Sequence, residues 1–205
     1  MLIDRLMPEF DASRIEHRVV AGRVSDAYAA ALGIDFVDAV RKSHALRGVL
    51  ALRARTERIA SVLRRSGSAA TAGGPKTLRL ADLPEHGEWV RLGEDPSNEI
   101  AFGVIGRFWA GETVWEQIDA SDFGAFARPG YAKIAGNFSF RAYGEARTLV
   151  SYEARTRATD AASRRAFWPY WRVASPFVGR VMRAQLTVVE RDAARPTPTA
   201  ATTET

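Results

Sequence analysis

The chain has 205 residues, a net charge of +5, 46% hydrophobic residues and no cysteine. This length suits one domain, with or without a tail, and the apolar content is sufficient for a buried core. The absence of cysteine excludes disulfides, thiolate zinc sites and a cysteine nucleophile. The first residues carry charges instead of an apolar signal region, and no stretch approaches the roughly 18 apolar residues of a membrane span, so we expect a cytoplasmic protein.

The first third of the chain is predicted to be mainly helical. Residues 16–22 indicate a short strand, and residues 25–33 a helix that Ser25 caps and Gly33 ends. A longer helical stretch then follows from about 35 to 65. Within it, residues 41–65 carry eight Lys or Arg and one acid, a net +7. The basic helix 46–65 is either a solvated face or a contact for an anionic membrane surface or another protein.

Residues 77–158 show the pattern of β-strands. Apolar segments alternate with short turn-like stretches, and strands joined in this way pair antiparallel. The predicted strands are TLRLADL, EWVRLGE, EIAFGVIGRFW, ETVWEQI, YAKIAGNFSFRAY and RTLVSYEARTRAT.

The last two of these strands predict a hairpin in which Phe140 lies opposite Tyr152. Apolar residues then match along the whole ladder, and Phe138 shares their face, which we expect to be the interior one. Glu153 and Arg155 fall on the opposite face, where a polar network on the outside of the sheet is the simplest interpretation. They are also candidates for catalysis, because a carboxylate and a guanidinium on one strand face can orient a polar ligand.

A final helix is predicted over 161–194, with Asp160 as its N-cap. Its apolar stripe is wide, and Pro169 and Pro176 predict a bend or break. Residues 196–205 have no apolar periodicity, so we expect a disordered tail whose removal leaves stability unchanged. The stripe is formed by Phe167, Trp171, Ala174, Val178, Met182, Gln185 and Val189.

This element order resembles the helix-grip fold of the START-like superfamily, which includes polyketide cyclases and lipid-transfer domains, and the local sequence resembles its bacterial SRPBCC branch. The likeness lies in LIDRLMPEFD, GVIGRFW, PGYAKIAGNFSF, YEARTRATD and FWPYWRVASPF. It implies an α+β fold, with a curved antiparallel sheet of six or seven strands around a long C-terminal helix. Residues 1–195 would form this domain, and 35–65 would be a helical insertion after the first strand.

In such a fold a cavity lies between the sheet and the last helix. The resemblance places Phe138, Phe140 and Tyr152 of the sheet opposite Phe167, Trp171 and Val178 of the helix, and an aromatic cavity suits an apolar ligand. Trp109 either lines the cavity mouth or pairs with Trp115 across a turn. The alternative is that these aromatic residues only fill the core.

Three functions remain open. The first is binding or carriage of a small hydrophobic molecule, which needs only the cavity. The second is a polyketide cyclase or dehydratase-like enzyme, for which His86, beside Glu85 and Glu88, is a further acid/base candidate. The third is a membrane-surface or protein-interaction module that uses helix 46–65. The residues show no metal-ligand spacing, no cofactor motif and no module that reads nucleic-acid sequence, so none of these partners is expected.

Overall fold

The structure is a computed structural model that describes residues 1–36, 79–109 and 113–194. Its helices are α1 (Leu2–Leu6), α2 (Val24–Leu32) and α3 (Ala161–Ala193). Its strands are β1 (Ala12–Ala21), β2 (His86–Gly87), β3 (Trp89–Asp95), β4 (Glu99–Arg107), β5 (Val114–Trp115), β6 (Ile118–Asp119), β7 (Ala132–Ala142) and β8 (Arg147–Ala158).

Six of these strands form one antiparallel sheet in the order β1-β8-β7-β4-β3, with β5 paired to β4. The curved sheet packs its inner face, which carries Phe138 and Tyr152, against α3, so the predicted helix-grip arrangement is confirmed. The remaining strands, β2 and β6, pair with each other. Most of the predicted insertion 35–65 and the whole predicted tail 196–205 lie outside the described residues.

Two local predictions in the first part of the chain are wrong. Ser25 does not cap α2: the helix begins one residue earlier, and the N-cap is Arg23, whose backbone N–H donates to the Asp26 carboxylate at 3.1 Å. The segment around residue 80 is a 3-10 turn at Leu80–Asp82 instead of a strand. Leu80 and Leu83, 0% and 2% exposed, are three residues apart, a spacing that suits a helical turn and not strand alternation. The predicted end of α2 at Gly33 is confirmed.

The β7–β8 hairpin has the predicted faces and a different register. Phe138, not Phe140, lies opposite Tyr152, and Phe140 lies opposite Val150. A shift of two residues returns every side chain to the same face, so the apolar pattern alone could not distinguish the two pairings. The turn decides between them, because Gly144 and Ala146 adopt φ values of 66° and 49° and centre the hairpin on Glu145.

Helix α3 closes the inner face of the sheet. The predicted N-cap is confirmed: the Asp160 carboxylate accepts hydrogen bonds from the backbone N–H groups of Ala162 and Ser163 at 2.8 and 2.9 Å. The Ser163 hydroxyl, at 2.6 Å, and a third N–H, from Gly130, donate to the same carboxylate. The hydroxyl contributes most, and together these hydrogen bonds hold the pKa of Asp160 well below its usual value. Of the predicted bend or break, the break is absent, because the helix continues through both prolines.

The outer face of the sheet carries a second, smaller core under α1, an element that the sequence analysis missed. Ile3 and Met7, 0% and 2% exposed, pack there with Ile105, Phe123 and Ala135. Their spacing of four residues is the signal of a helical face that could have indicated α1. This part of the outer face is therefore covered by protein where solvent was expected.

Candidate functional site

Aromatic side chains fill the part of the inner face around Phe138, Phe140 and Tyr152. Phe138 and Tyr152 stack at 4.1 Å between ring centroids, and Phe102 lies within 6.4 Å of both rings. Phe140 meets Tyr28 of α2 edge-on at 5.4 Å. Phe138 and Phe140 are 0% and 2% exposed, so they form part of the packed core and offer little surface to a ligand.

The inner-face positions that follow on β8 and β7 have more accessible side chains. Ala154 and Ile134 point to the inner face from β8 and β7, in the middle of the sheet, yet both are only half-buried. Side chains in such positions are normally fully buried when a helix covers them, as Phe138 and Val150 are. Ala154 and Ile134 therefore keep accessible surface beneath α3, from which we infer a space between the sheet and this helix.

Helix α3 supplies the opposite wall of this space. A Cβ on Gly179 would lie 2.6 Å from the guanidinium of Arg14, whose Cα partner on β8 is Ala154. This contact places the turn of α3 around Val178 above Ala154. Val178, Ala174 and Trp171, spaced by four and three residues, are half-buried as well. We call this space the cleft; it is lined by Ile134, Tyr152, Ala154, Trp171, Ala174 and Val178.

An aromatic cluster closes one end of the cleft. Phe167, fully buried, stacks on Trp171 at 5.8 Å and meets Phe108 at 6.1 Å. Phe108 lies between Trp109 and Trp115, with ring centroids 5.3 and 5.7 Å away. Trp109 is thus part of the cluster and, being half-buried, reaches solvent at its rim.

Charged residues line the β1 side of the cleft, and the sequence analysis missed them. Because β1 begins at Ala12, its inner face carries Arg14, Glu16 and Arg18. The Glu16 carboxylate accepts hydrogen bonds from Arg14 at 2.6 Å and from Arg183 of α3 at 2.7 Å. Burial raises the pKa of Glu16, but the two guanidinium groups outweigh it and the net pKa is lowered. The expectation of an almost wholly apolar interior is therefore wrong on this side.

Glu16 gives a pH-dependent prediction. A carboxyl with a lowered pKa in the folded state stabilises the fold above its unfolded pKa and loses that contribution as the pH falls through the folded value. We expect the melting temperature of the Glu16→Gln variant to depend less on pH between about 5 and 3 than that of the unaltered protein. Identical profiles from thermal unfolding at several pH values would contradict the ion pairs described here.

Two polar groups of the interior form no hydrogen bond with the described residues. The Gln185 carbonyl oxygen on α3 is fully buried and accepts none. The Tyr152 hydroxyl donates none, and burial raises its pKa. An unpaired buried polar group costs roughly 1–3 kcal/mol, so a donor that reached the Gln185 oxygen would remove this cost.

Glu153 and Arg155 lie on the outer face, as predicted, but they are buried there under α1. Arg155 donates to Glu153 at 2.6 Å, to Asp4 at 2.7 Å and to the Met7 carbonyl at 3.0 Å. These contacts hold the N-terminal segment to the sheet. The pair is separated from the cleft by the sheet itself, so the two candidates do not meet a ligand bound in the cleft.

His86, the third candidate, lies on β2 at the surface. Its Nδ1 is 2.8 Å from the Asp119 carboxylate, and both side chains are more than half exposed. An open groove of about 470 Å³ near this strand is lined by Glu85, Arg91, Leu92, Gly93, Glu94, Ala120 and Ser121. His86 is therefore remote from Phe138 and Tyr152, which lie on the inner face.

Two absences hold for the part of the chain that the structure describes. Within it, no three His, Asp or Glu side chains come close enough to share a metal ion. None of its helices combines the length and apolar character needed to cross a bilayer.

Comparison with known proteins leaves the family open. No family model and no curated protein matches the chain. Among solved structures, TTHA0849 from Thermus thermophilus is 10% identical, with a TM-score of 0.35 and coverage of 89% of this chain and 97% of that one. The Zhui aromatase/cyclase from a Streptomyces species is 14% identical, with a TM-score of 0.32 and coverage of 90% and 94%.

A third solved structure, CalU16 from Micromonospora echinospora, is 13% identical, with a TM-score of 0.30 and coverage of 89% and 86%. Identities and TM-scores of this size do not establish a family or an activity. The START-like resemblance therefore stays a prediction, and the function is inferred from the residues of the cleft.

Proposed function

We propose that the chain binds a small hydrophobic molecule in the cleft between the sheet and α3. One observation carries the proposal: Ala154 and Ile134 remain accessible on the inner face of central strands, opposite half-buried side chains of α3. Apolar surface left accessible inside a fold gains free energy when a ligand covers it. The proposed compartment is the cytoplasm, which agrees with a chain that has no cysteine.

The side chains that line the cleft indicate the chemical class of the ligand. Apolar and aromatic walls favour a flat or extended apolar molecule. Covering about 300 Å² of apolar surface contributes about 7.5 kcal/mol before the costs of binding. Micromolar affinity corresponds to about 8.2 kcal/mol net, so it requires a larger covered area or polar contacts as well. The unpaired oxygens of Tyr152 and Gln185 favour a ligand with a hydroxyl or carbonyl group over a pure hydrocarbon.

A second function, an enzyme of the cyclase or dehydratase type, is supported by the charged side of the cleft. Arg14 and Glu16 bring a cation and a carboxylate to the inner face, and such groups can polarise a carbonyl or accept a proton. The two guanidinium groups hold Glu16 ionised, so it can accept a hydrogen bond from a ligand, although its lowered pKa makes it a weak base. Binding requires none of this chemistry and is therefore the function we place first.

The experiment is native mass spectrometry of the protein purified from its own host, followed by thermal unfolding with a panel of sterols, fatty acids and aromatic polyketides. We expect a co-purifying molecule, or a panel member that raises the melting temperature. Stabilisation with no change in the ligand supports binding, and conversion of a ligand that Arg14→Met abolishes supports the enzyme. No stabilisation by any member at high concentration would contradict both.

A further inference from the structure

The exposed side of α3 has a composition unlike the rest of the surface. Between 161 and 189 the sequence contains five arginines and no aspartate or glutamate. Two of the five have acidic partners, because Arg164 pairs with Asp11 at 2.6 Å and Arg183 with Glu16 at 2.7 Å. Arg165, Arg172 and Arg180 are exposed and form no ion pair with any described residue. The first five turns of the helix therefore present uncompensated positive charge.

Apolar side chains are interleaved with these three arginines. Trp168 is 43% exposed and Val173 is 69% exposed, the largest value among the exposed large hydrophobic residues. The rings of Pro169 and Pro176 are exposed on the same side. The spacing of 165, 168, 172, 176 and 180 is three or four residues throughout, so these positions form one continuous face. We call it the α3 face.

We propose that the α3 face docks onto an anionic lipid bilayer. Arginines attract the phosphate headgroups, and a tryptophan and a valine beside them enter the boundary between headgroups and acyl chains. The charge and the exposed apolar area fit this partner together. A nucleic-acid phosphate backbone would satisfy the arginines but leave Val173 and the proline rings without a partner.

The inference goes beyond ligand binding in the cleft and stands independently of it. The opposite side of α3 forms one wall of the cleft, through Trp171, Ala174 and Val178. If both proposals hold, a poorly soluble ligand passes between the bilayer and a cleft whose wall lies against that bilayer. If the cleft proves empty, the face still predicts membrane association.

The test is flotation of the full chain with vesicles of phosphatidylcholine alone and with about 30 mol% phosphatidylglycerol added, at low and at physiological salt. We expect binding only to the anionic vesicles, and weaker binding at the higher salt. Arg172→Glu both removes a positive charge and adds a negative one, and Trp168→Ser removes an apolar side chain from the interface, so each should lower the bound-to-free ratio by about tenfold or more.

Matched controls lie on the outer face of the sheet, away from α3. Ile15→Ser removes an apolar side chain that is 45% exposed, and Arg141→Glu reverses an exposed charge. Both should bind within about twofold of the unaltered protein, and circular dichroism should show all four variants folded. Equal losses for Arg141→Glu and Arg172→Glu would overturn the proposal in favour of a net-charge effect. It would equally be overturned by failure to float with anionic vesicles, or by tight RNA binding that Trp168→Ser leaves unchanged.

Discussion

Replacing Arg155 by methionine should lower the free energy of unfolding by about 3–5 kcal/mol. The side chain volume changes little, but Glu153, 7% exposed, would keep a buried negative charge with no counter-charge. The N-terminal segment would also lose the hydrogen bonds that Arg155 donates to Asp4 and to the Met7 carbonyl. Urea unfolding of the variant measures the loss directly.

Two variants make this result specific. Arg157→Met removes an arginine from the same strand face, but its partner Glu9 is 77% exposed, so the loss should stay below about 1 kcal/mol. Adding Glu153→Gln to Arg155→Met should recover part of the stability, because the buried charge disappears with it. A single Arg155 variant as stable as the unaltered protein would show that α1 is not held through this network.

Replacing Phe138 by alanine should cost about 3–5 kcal/mol of stability as well. The ring is fully buried, stacks on Tyr152 and packs beside Phe102, so its removal leaves a void in the filled part of the inner face. Tyr143→Ala is the control, because Tyr143 is 49% exposed on the same strand's extension and its loss should change stability by less than about 0.5 kcal/mol.

The two variants together test where the filled part of the interior ends. A loss below about 1 kcal/mol for Phe138→Ala would mean that the space next to Tyr152 is open and the core lies elsewhere. The measurement is again the free energy of unfolding from urea titration. Thermal scans alone would be ambiguous for Phe138→Ala if a ligand from the host occupies the enlarged space.

Sequence pattern predicted β3, β4, β7, β8 and α3 because each is long and regular, whereas the single predicted strand ETVWEQI is divided between the two-residue strands β5 and β6. The alternation of β7 and β8 also assigned Phe138 and Tyr152 to the inner face correctly, although it missed their pairing by two residues. The period of a strand is two, so it determines faces and leaves pairing to the turn. In this hairpin the left-handed residues Gly144 and Ala146 make that choice.

The sequence pattern could not predict the charged side of the cleft, because in β1 the charged residues face the interior and the apolar residues face solvent. Ile15 and Val19 alternate with Arg14 and Glu16, and an apolar set normally faces the core. In the structure Ile15 and Val19 are 45% and 37% exposed, and the charged set faces α3. The inward charges are stabilised by partners on α3, more than 150 residues away, which no local pattern contains.

The cleft itself follows from tertiary packing and not from residue type. Ala154 and Ala135 are both alanines on neighbouring strands, yet Ala135 is fully buried in the core under α1 and Ala154 is only partly buried against the inner core. Phe138 and Phe140 were predicted as cavity walls from their chemistry, and they are instead the packed floor. Trp171 and Val178, on the facing helix, keep the accessible surface.

The central claim is that open apolar space exists above Ala154, and one titration tests it most directly. The fluorescent apolar probe 1-aminoanthracene is titrated into the unaltered protein and into Ala154→Phe, with Ala166→Phe on the exposed side of α3 as a control of equal size. We predict that Ala154→Phe weakens probe binding at least tenfold while the free energy of unfolding stays nearly unchanged, because the new ring occupies existing space. Unchanged probe binding, or a loss of about 1–3 kcal/mol from overpacking, would contradict the cleft.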